Sequence, residues 1–99
     1  MIVGFGDQGT EDIFNGDNTK AARRTPRVIW KIASRKLDML NAAHVLQDLA
    51  VPPGNQLEAL KGTLAGSHSI RINDQYRIIF RWQDGHPHDV RMTDYHSGR

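Results

Sequence analysis

The sequence predicts a small α+β fold, with an N-terminal strand and helices packed on one face of a mostly antiparallel sheet. Apolar residues recur at helical spacing between Pro26 and Ala43, and they alternate with polar residues over Ser67–Asn73 and Tyr76–Gln83. Helices followed by a run of strands are typical of α+β domains. The chain has 99 residues, which suits one domain over residues 1–99 and leaves no room for a second core.

The N-terminal residues are predicted to form short secondary-structure elements. Met1–Phe5 is mostly apolar and indicates a short strand that Gly6 stops. Thr10–Phe14 indicates one or two helical turns. Asn15–Asn18 reads Asn-Gly-Asp-Asn, which is typical of a loop.

The main helix is predicted from Pro26 to about Ala43. Thr25 can cap it, and proline suits the first helical position because an N–H is not needed there. The predicted buried stripe consists of Ile29, Ile32, Ala33, Leu37 and Leu40. The opposite side carries Arg24, Arg27, Lys31, Arg35 and Asp38. The helix is therefore expected to present a cationic outer face.

The second half predicts the sheet. His44–Leu49 indicates a short turn, Val51–Asn55 a rigid loop, Gln56–Lys61 a strand and Gly62–Gly66 a turn. The two alternating strands follow, joined at Asn73-Asp74-Gln75. Asp84-Gly85 is a strong hairpin signal, and Val90–His96 is expected to close the sheet.

Alternation divides the two central strands into faces. The side expected under the helices carries His68, Ile70, Ile72, Tyr76, Ile78, Phe80 and Trp82. The other side is expected to be uncovered and carries Arg71, Arg77 and Arg81. Three aligned arginines repel one another unless something anionic lies between them.

The charge distribution points to a polyanion. The net charge is +2, but Lys20–Lys36 holds seven basic residues and no acidic one, and we call this segment the cationic stretch. Arginine, which suits bidentate phosphate contacts, supplies nine of the thirteen cations. The candidate RNA-binding residues here are Arg23, Arg24, Arg27, Lys31 and Arg35. A solvated helix face is the alternative interpretation.

Several classes of function are excluded or unsupported. The absence of cysteine excludes disulfides and thiolate sites. No signal peptide or spanning segment is recognisable, so the cytoplasm is expected. No metal-ligand spacing occurs, and His86-Pro87-His88 is interpreted as a polar loop. Phosphate-binding glycine loops and a serine nucleophile motif are also missing.

What remains suits RNA cleavage without a metal. That reaction needs a base for the 2′-hydroxyl, cations for the phosphorane and an acid for the departing 5′-oxygen. Lys61, Arg77 and Arg71 can serve the phosphate. Asp94, Tyr95 and His96 can supply proton transfer, orientation and base stacking. On residue types alone, the terminal triplet fits an ordinary strand end, with Tyr95 packed and His96 solvated, better than a catalytic site.

Three ordered segments resemble a known family. Leu57–Gly62, Gly66–Phe80 and Asp94-Tyr95-His96 are similar to the HigB toxins of bacterial toxin–antitoxin pairs, a branch of the RelE superfamily that includes GraT-like toxins. Pro-Pro-Gly-Asn at residues 52–55 resembles the GraT-like members most. The resemblance covers nearly the whole chain.

The resemblance implies a RelE-like fold and a type II toxin that inhibits translation and growth. Such toxins are ribosome-dependent endoribonucleases that cut mRNA in the A site through 2′-hydroxyl attack, with no metal or other cofactor. Carried over by position, Lys61 and Arg77 would bind the scissile phosphate. Asp94, Tyr95 and His96 would form the catalytic cluster. Tyr76 would pack or stack nearby, and the cationic stretch would meet ribosomal RNA. Arg71 and Arg81 of the predicted sheet face are further candidate RNA-binding residues.

The resemblance also implies binding partners, and the sequence departs from the family pattern at one position. The partner would be a HigA-type helix-turn-helix antitoxin, operator DNA would be bound only through that complex, and no membrane is involved. Where the best-known HigB pattern has histidine, this chain has Glu58. Glu58 is interpreted as a base, a holder of Arg77 or a surface residue. A non-catalytic module that binds RNA or antitoxin is the alternative function.

Overall fold

The computed structural model describes residues 1–94 and confirms the α+β class. Its helices and strands are α1 (Gln8–Asn15), α2 (Trp30–Ala42), β1 (Glu58–Ala59), β2 (Ser67–Arg71), β3 (Tyr76–Gln83) and β4 (His86–Asp94). The strands form one antiparallel sheet in the order β1-β2-β3-β4. Short 3₁₀ turns connect these elements at Ala22–Arg24, Arg27–Ile29, Leu46–Ala50, Pro53–Asn55 and Gly62–Leu64.

The N-terminal segment is extended but does not form a regular strand. It runs parallel to β4, with one bridge between Phe5 and Val90. The Val3 amide donates to the Pro87 carbonyl over 2.9 Å, and the Gly6 amide donates to Val90 over 2.8 Å. The predicted strand was therefore wrong as a regular element, because backbone pairing to β4 covers only part of its length.

Helix α1 begins two residues before the predicted turn because Asp7 caps it. The Asp7 carboxylate accepts the Thr10 amide over 2.8 Å. The helix ends at Gly16, whose φ of 81° is the left-handed conformation typical of a helix end. The predicted helical turn is confirmed.

Helix α2 begins later than predicted. A 3₁₀ turn over Arg27–Ile29 comes first, and no side chain caps the helix at Trp30. Thr25 acts through its carbonyl instead, which accepts the Trp30 indole N–H over 2.8 Å. The prediction of a helix from Pro26 with a threonine cap was therefore wrong at its start, because these contacts stabilise a tighter entry turn.

The predicted apolar stripe of α2 is confirmed. Ile29, Ala33, Leu37 and Leu40 are buried, and Ile32 is half-buried. They join a core cluster with sheet residues, including Ile70, Ile72, Ile78, Phe80 and Val90. The helices thus cover one sheet face, and the packing of that face fixes the direction of every side chain on the other.

The hairpin between β3 and β4 corrects one prediction. Asp84 and Gly85 both have positive φ, 54° and 82°, which gives the tight two-residue turn that returns the chain at once into a strand. β4 therefore starts at His86 rather than Val90, and His86-Pro87-His88 pairs with β3 instead of forming a polar loop.

β4 contains a bulge. The register with β3 shifts between Ile79 and Arg81, and Asp89 has a φ of 51°. One extra residue in a strand with this conformation is a β-bulge. It allows His88 to pair with Arg81 while Val90 still points into the core.

Candidate functional site

The Arg77 guanidinium lies near one end of the sheet, on the face opposite the helices. It is only 8% exposed. Its Nε donates to the Ser69 Oγ over 2.7 Å, and its Nη2 donates to the Gln56 carbonyl over 2.5 Å. We call Arg77, Ser69, Gln56 and Glu58 the Arg77 cluster.

The prediction that this face is uncovered was wrong where β2 pairs with β3. Ser67, Ser69, Arg77 and Ile79 are all buried. A charged guanidinium is stable in a buried position only where it has hydrogen-bond acceptors. At Arg77 the chain itself supplies these acceptors. Strand alternation correctly gave the direction of these side chains but not their surroundings.

Glu58 belongs to the same cluster. Short strand β1 pairs it with Ser69, and its Oε1 lies 3.6 Å from the Arg77 Nη2. The carboxylate is half-exposed, at 51%. Three roles were predicted for Glu58, and this geometry favours the role of holding Arg77. The ion pair between the two side chains helps to orient the guanidinium.

The other two arginines lie on the same face, as predicted, but each has its own counter-charge. Arg71 pairs with Asp74 three residues along. The Arg81 Nε lies 2.8 Å from the Asp89 carboxylate, which the bulge brings opposite. The anticipated repulsion is thereby relieved within the chain.

Lys61, Tyr76 and Asp94 lie outside the Arg77 cluster. Lys61 is exposed on the connection that follows β1. Asp94 pairs across the ladder with Tyr76, so both side chains project toward the helix side of the sheet, opposite Arg77. The Gln75 side-chain amide donates to Asp94 over 3.1 Å. Tyr95 and His96 lie outside the described residues.

Beside Asp94 and Tyr76 is a cavity of about 470 Å³, which we call the α1–β4 cavity. Its lining residues are Asp7, Gln8, Gly9, Thr10, Ala21, Arg24, Thr25, Tyr76, Met92 and Asp94. Thus the end of the sheet carries two polar sites on opposite faces, the Arg77 cluster and this cavity. Sequence reasoning missed the cavity, because its lining comes from segments distant in sequence.

The Arg77 cluster also contains residues that the sequence reasoning did not assign. Ser69 was given no role, and Gln56 contributes only a backbone oxygen. The signal for Ser69 was available, since a small hydroxyl on the strand beside Arg77 and on the same face can reach its guanidinium. No side-chain signal could have identified Gln56.

The cationic stretch is exposed where predicted. Arg23, Arg24, Arg27, Lys31 and Arg35 are all exposed, and the Arg27 guanidinium lies 4.7 Å from the centre of the Trp30 ring. Lys36 differs, since its Nζ donates to the fully buried Asn55. Burial, with Arg71 and Arg35 nearby, lowers the Lys36 pKa.

Neither a metal centre nor a membrane span is found in residues 1–94. Within that range, no three side chains of histidine, aspartate or glutamate converge as metal ligands would. The helices of the same range are also too short and too polar to cross a bilayer.

The family model for HigB-like toxins, described as RelE-like toxins of the type II toxin–antitoxin system HigB, matches residues 3–96. This chain belongs to the HigB-like toxins. The predicted family membership is thereby confirmed over nearly the whole sequence.

Individual relatives agree with the family match. Toxin HigB-1 of Vibrio cholerae serotype O1 is 45% identical over 85 residues, covering 86% of this chain and 87% of that toxin. An uncharacterized protein of Haemophilus influenzae is 36% identical over 74 residues, covering 75% of this chain and 72% of its own.

A solved structure supports the fold. The YoeB-YefM complex from Staphylococcus aureus contains a chain with a TM-score of 0.58 and 22% identity, covering 91% of this HigB-like toxin and 88% of that chain. At this identity the likeness concerns the fold alone. It agrees with the RelE-like fold that the resemblance implied.

Proposed function

We propose that this HigB-like toxin is an endoribonuclease that needs no metal and cuts mRNA in the ribosomal A site. The main observation behind this proposal is the Arg77 cluster, in which Ser69 and Glu58 hold the guanidinium in one orientation on the sheet face. A preoriented cation is what the doubly charged phosphorane of 2′-hydroxyl attack requires. Cleavage would leave a cyclic phosphate and a free 5′-hydroxyl.

The proposed roles divide between phosphate and protons. Arg77 and Lys61 stabilise the phosphorane, with Lys61 free in solvent to approach the substrate. Tyr95 and His96 supply proton transfer and orientation, in keeping with the family pattern. The Asp94 side chain projects to the opposite face of the sheet from Arg77, so it makes no contact with the phosphate that Arg77 binds. Glu58 positions Arg77 rather than acting as the base, since their charged groups already lie 3.6 Å apart.

The proposed partners follow from charge and family. The exposed arginines of the cationic stretch would contact ribosomal RNA, because arginine forks match phosphate oxygens. A HigA-type helix-turn-helix antitoxin would neutralise the toxin in the cytoplasm. Operator DNA would be bound only by that complex.

The test is induction of the toxin without antitoxin, followed by mapping of new 5′ ends on messenger RNA. Wild type should stop growth and produce cuts in translated regions. Arg77→Ala and His96→Ala should lower the yield of cuts by at least about 100-fold, the usual scale for loss of a transition-state cation or proton donor. Intact messenger in wild-type cells at full toxin expression would refute the proposal.

One observation favours the alternative of a non-catalytic binding module. Arg77 is buried and its donors are already engaged by the chain, so contact with a phosphate requires some opening of the cluster. A pure binding module would still associate with RNA in a strongly salt-dependent way. It would yield no cyclic-phosphate ends, and His96→Ala would leave its behaviour unchanged.

A further inference from the structure

The segment before β1 presents one acceptor of the Arg77 guanidinium from a strained backbone position. Gln56 has a φ of 46° and a ψ of 55°, the left-handed conformation that residues with a Cβ seldom adopt. Its carbonyl oxygen accepts the Arg77 Nη2 over 2.5 Å. Gln56 is itself exposed, so burial of its own side chain does not hold this conformation. A residue keeps such a conformation only where its surroundings impose it.

The preceding residue, Asn55, supplies that constraint. Asn55 is fully buried, whereas the residues on either side of it are exposed. Its Nδ2 donates to the Leu49 carbonyl over 3.1 Å and to the Val51 carbonyl over 3.3 Å. Its Oδ1 accepts the Lys36 Nζ over 2.5 Å. The Asn55 side chain therefore ties this segment both to the preceding 3₁₀ turn and to helix α2.

The chemistry of this anchor is specific to an amide side chain. A buried polar group costs free energy unless it is hydrogen-bonded, and Asn55 has partners for both its amide nitrogen and its oxygen. An apolar residue could fill the same space but could not bind two backbone carbonyls. Because Asn55 and Gln56 are consecutive, a displacement of the anchor also displaces the Gln56 carbonyl.

We propose that Asn55 is a positioning residue of the cleavage reaction, which holds the Gln56 carbonyl and through it the Arg77 guanidinium. This role rests on the proposed function, in which Arg77 stabilises the phosphorane. Ser69 holds the guanidinium at Nε and the Gln56 carbonyl holds it at Nη2, and two held atoms orient a planar group. Since Asn55 is fully buried, it acts on the chemical step and not on the binding of RNA.

The first test observes the Arg77 guanidinium by NMR in the full chain labelled with ¹⁵N. In the wild type the two Nη nitrogens should give separate signals, because the bond from Nη2 slows their exchange by rotation about the Nε–Cζ bond. Asn55→Ala should raise this exchange rate about tenfold or more, the scale of one hydrogen bond to a charged group. Gly54→Ala is the matched control, since a Cβ at this exposed neighbour meets no atom within 4 Å. It should leave the rate within about twofold of wild type.

A second variant decides the question if Asn55→Ala does not fold. Lys36→Met removes the donor to the Asn55 Oδ1 but keeps most of the apolar length of the side chain. It should raise the Arg77 exchange rate about threefold or more, as for one lost neutral hydrogen bond. Lys31→Met removes the same charge from an exposed position of the same helix and should leave the exchange rate unchanged. Equal rates in the two lysine variants would overturn the proposal.

The second test measures messenger cleavage on ribosomes. Folded Asn55→Ala should lower kcat about tenfold and leave KM within about twofold of wild type, as for an interaction made only in the transition state. A wild-type exchange rate at Arg77, or a loss of kcat/KM carried wholly by KM, would overturn the proposal and leave Asn55 a purely structural residue. If wild type cuts no messenger, the proposed nuclease function fails, while the exchange rate still decides whether Asn55 holds Arg77.

Discussion

The hydroxyl of Ser69 fixes the buried guanidinium of Arg77 from the neighbouring strand, with the Nε of Arg77 donating to the Oγ of Ser69 over 2.7 Å. The two residues belong to β2 and β3, which are central in the sheet. The orientation of the main candidate catalytic cation therefore depends on sheet register rather than on a flexible loop. Such support on rigid elements is what precise positioning requires.

Replacement of Ser69 by alanine should loosen this support. The change leaves a buried guanidinium donor without its acceptor, which should lower the free energy of unfolding by about 1–3 kcal/mol. Urea unfolding at neutral pH measures the effect. Ser67→Ala is the matched control, since Ser67 is also buried on β2 but makes no bond to Arg77. Equal losses in the two variants would contradict the assignment.

Replacement of Glu58 by glutamine should show whether Glu58 positions Arg77 or acts as the general base. Because Ser69 and the Gln56 carbonyl still hold Arg77, we expect cleavage to slow by less than about tenfold, against about 10²–10⁴-fold for loss of a general base. The free energy of unfolding should change by no more than about 1 kcal/mol, because the Glu58 carboxylate is half-exposed to solvent. Messenger cleavage during translation in vitro measures the rate.

The other glutamate of the chain, Glu11, provides the control for Glu58. Glu11→Gln should cleave messenger at the wild-type rate. A fall of 100-fold or more in Glu58→Gln, with Glu11→Gln unaffected, would identify Glu58 as the base and contradict the positioning role.

Replacement of Gly9 by alanine should disturb the wall of the α1–β4 cavity. A Cβ built at Gly9 would lie 2.6 Å from the Ala21 carbonyl oxygen, so α1 and the following turn must separate. We expect a loss of about 1–3 kcal/mol in unfolding free energy, as for other overpacked sites. Thermal unfolding measures it.

Gly4 offers the comparison for Gly9, because a Cβ there meets no atom within 4 Å. Gly4→Ala should be neutral or slightly stabilising, since alanine restricts the unfolded chain. A Gly9→Ala protein as stable as Gly4→Ala would show that the close approach to Ala21 is not a real constraint.

The Asp12 carboxyl should make the free energy of unfolding depend on pH in the acidic range. Hydrogen bonds from Thr19 and then Gln8 lower its pKa from the usual 3.8. A carboxyl whose pKa is lower in the folded state contributes stability above the unfolded pKa, and this is lost as pH falls through the folded pKa. Thr19→Val should raise the Asp12 pKa and move the acid-induced loss to higher pH. Carboxyl-carbon NMR titration measures the shift.

Gln8→Ala serves as the graded control for Thr19→Val. Because the Gln8 bond is the smaller cause of the lowered Asp12 pKa, its removal should raise the pKa less. A larger rise in Gln8→Ala than in Thr19→Val, or no rise in either, would argue against the described network.

The sequence predicted the elements whose signals are local and repeated. The bounds of β3 match the alternating segment Tyr76–Gln83, and the α2 stripe matches its helical spacing. The start of α2 could not be predicted, because it depends on the contact between Trp30 and the Thr25 carbonyl. His86-Pro87-His88 was misassigned because its polar residues masked a strand that the preceding tight turn imposes.

The candidate site was predictable only in part, because strand alternation gives the direction of a side chain but not its surroundings. Alternation placed Arg71, Arg77 and Arg81 on one face, and the structure places them there. It could not give the burial of Arg77 or the counter-charges of the other two, since these come from Gln56, Asp74 and Asp89 on other segments or turns. The α1–β4 cavity is likewise a product of tertiary packing.

The bulge at Asp89 makes β4 tolerant of a change in length. His88 pairs with Arg81 and Arg91 with Ile79, so Asp89 and Val90 both lie opposite Phe80 and Asp89 is the extra residue. Deletion of this one position would preserve which side chains enter the core, whereas deletion of any other β4 residue would invert the strand beyond it. Homologous chains that differ by a single residue in this hairpin should therefore carry the gap here, and those without Asp89 need another counter-ion for Arg81.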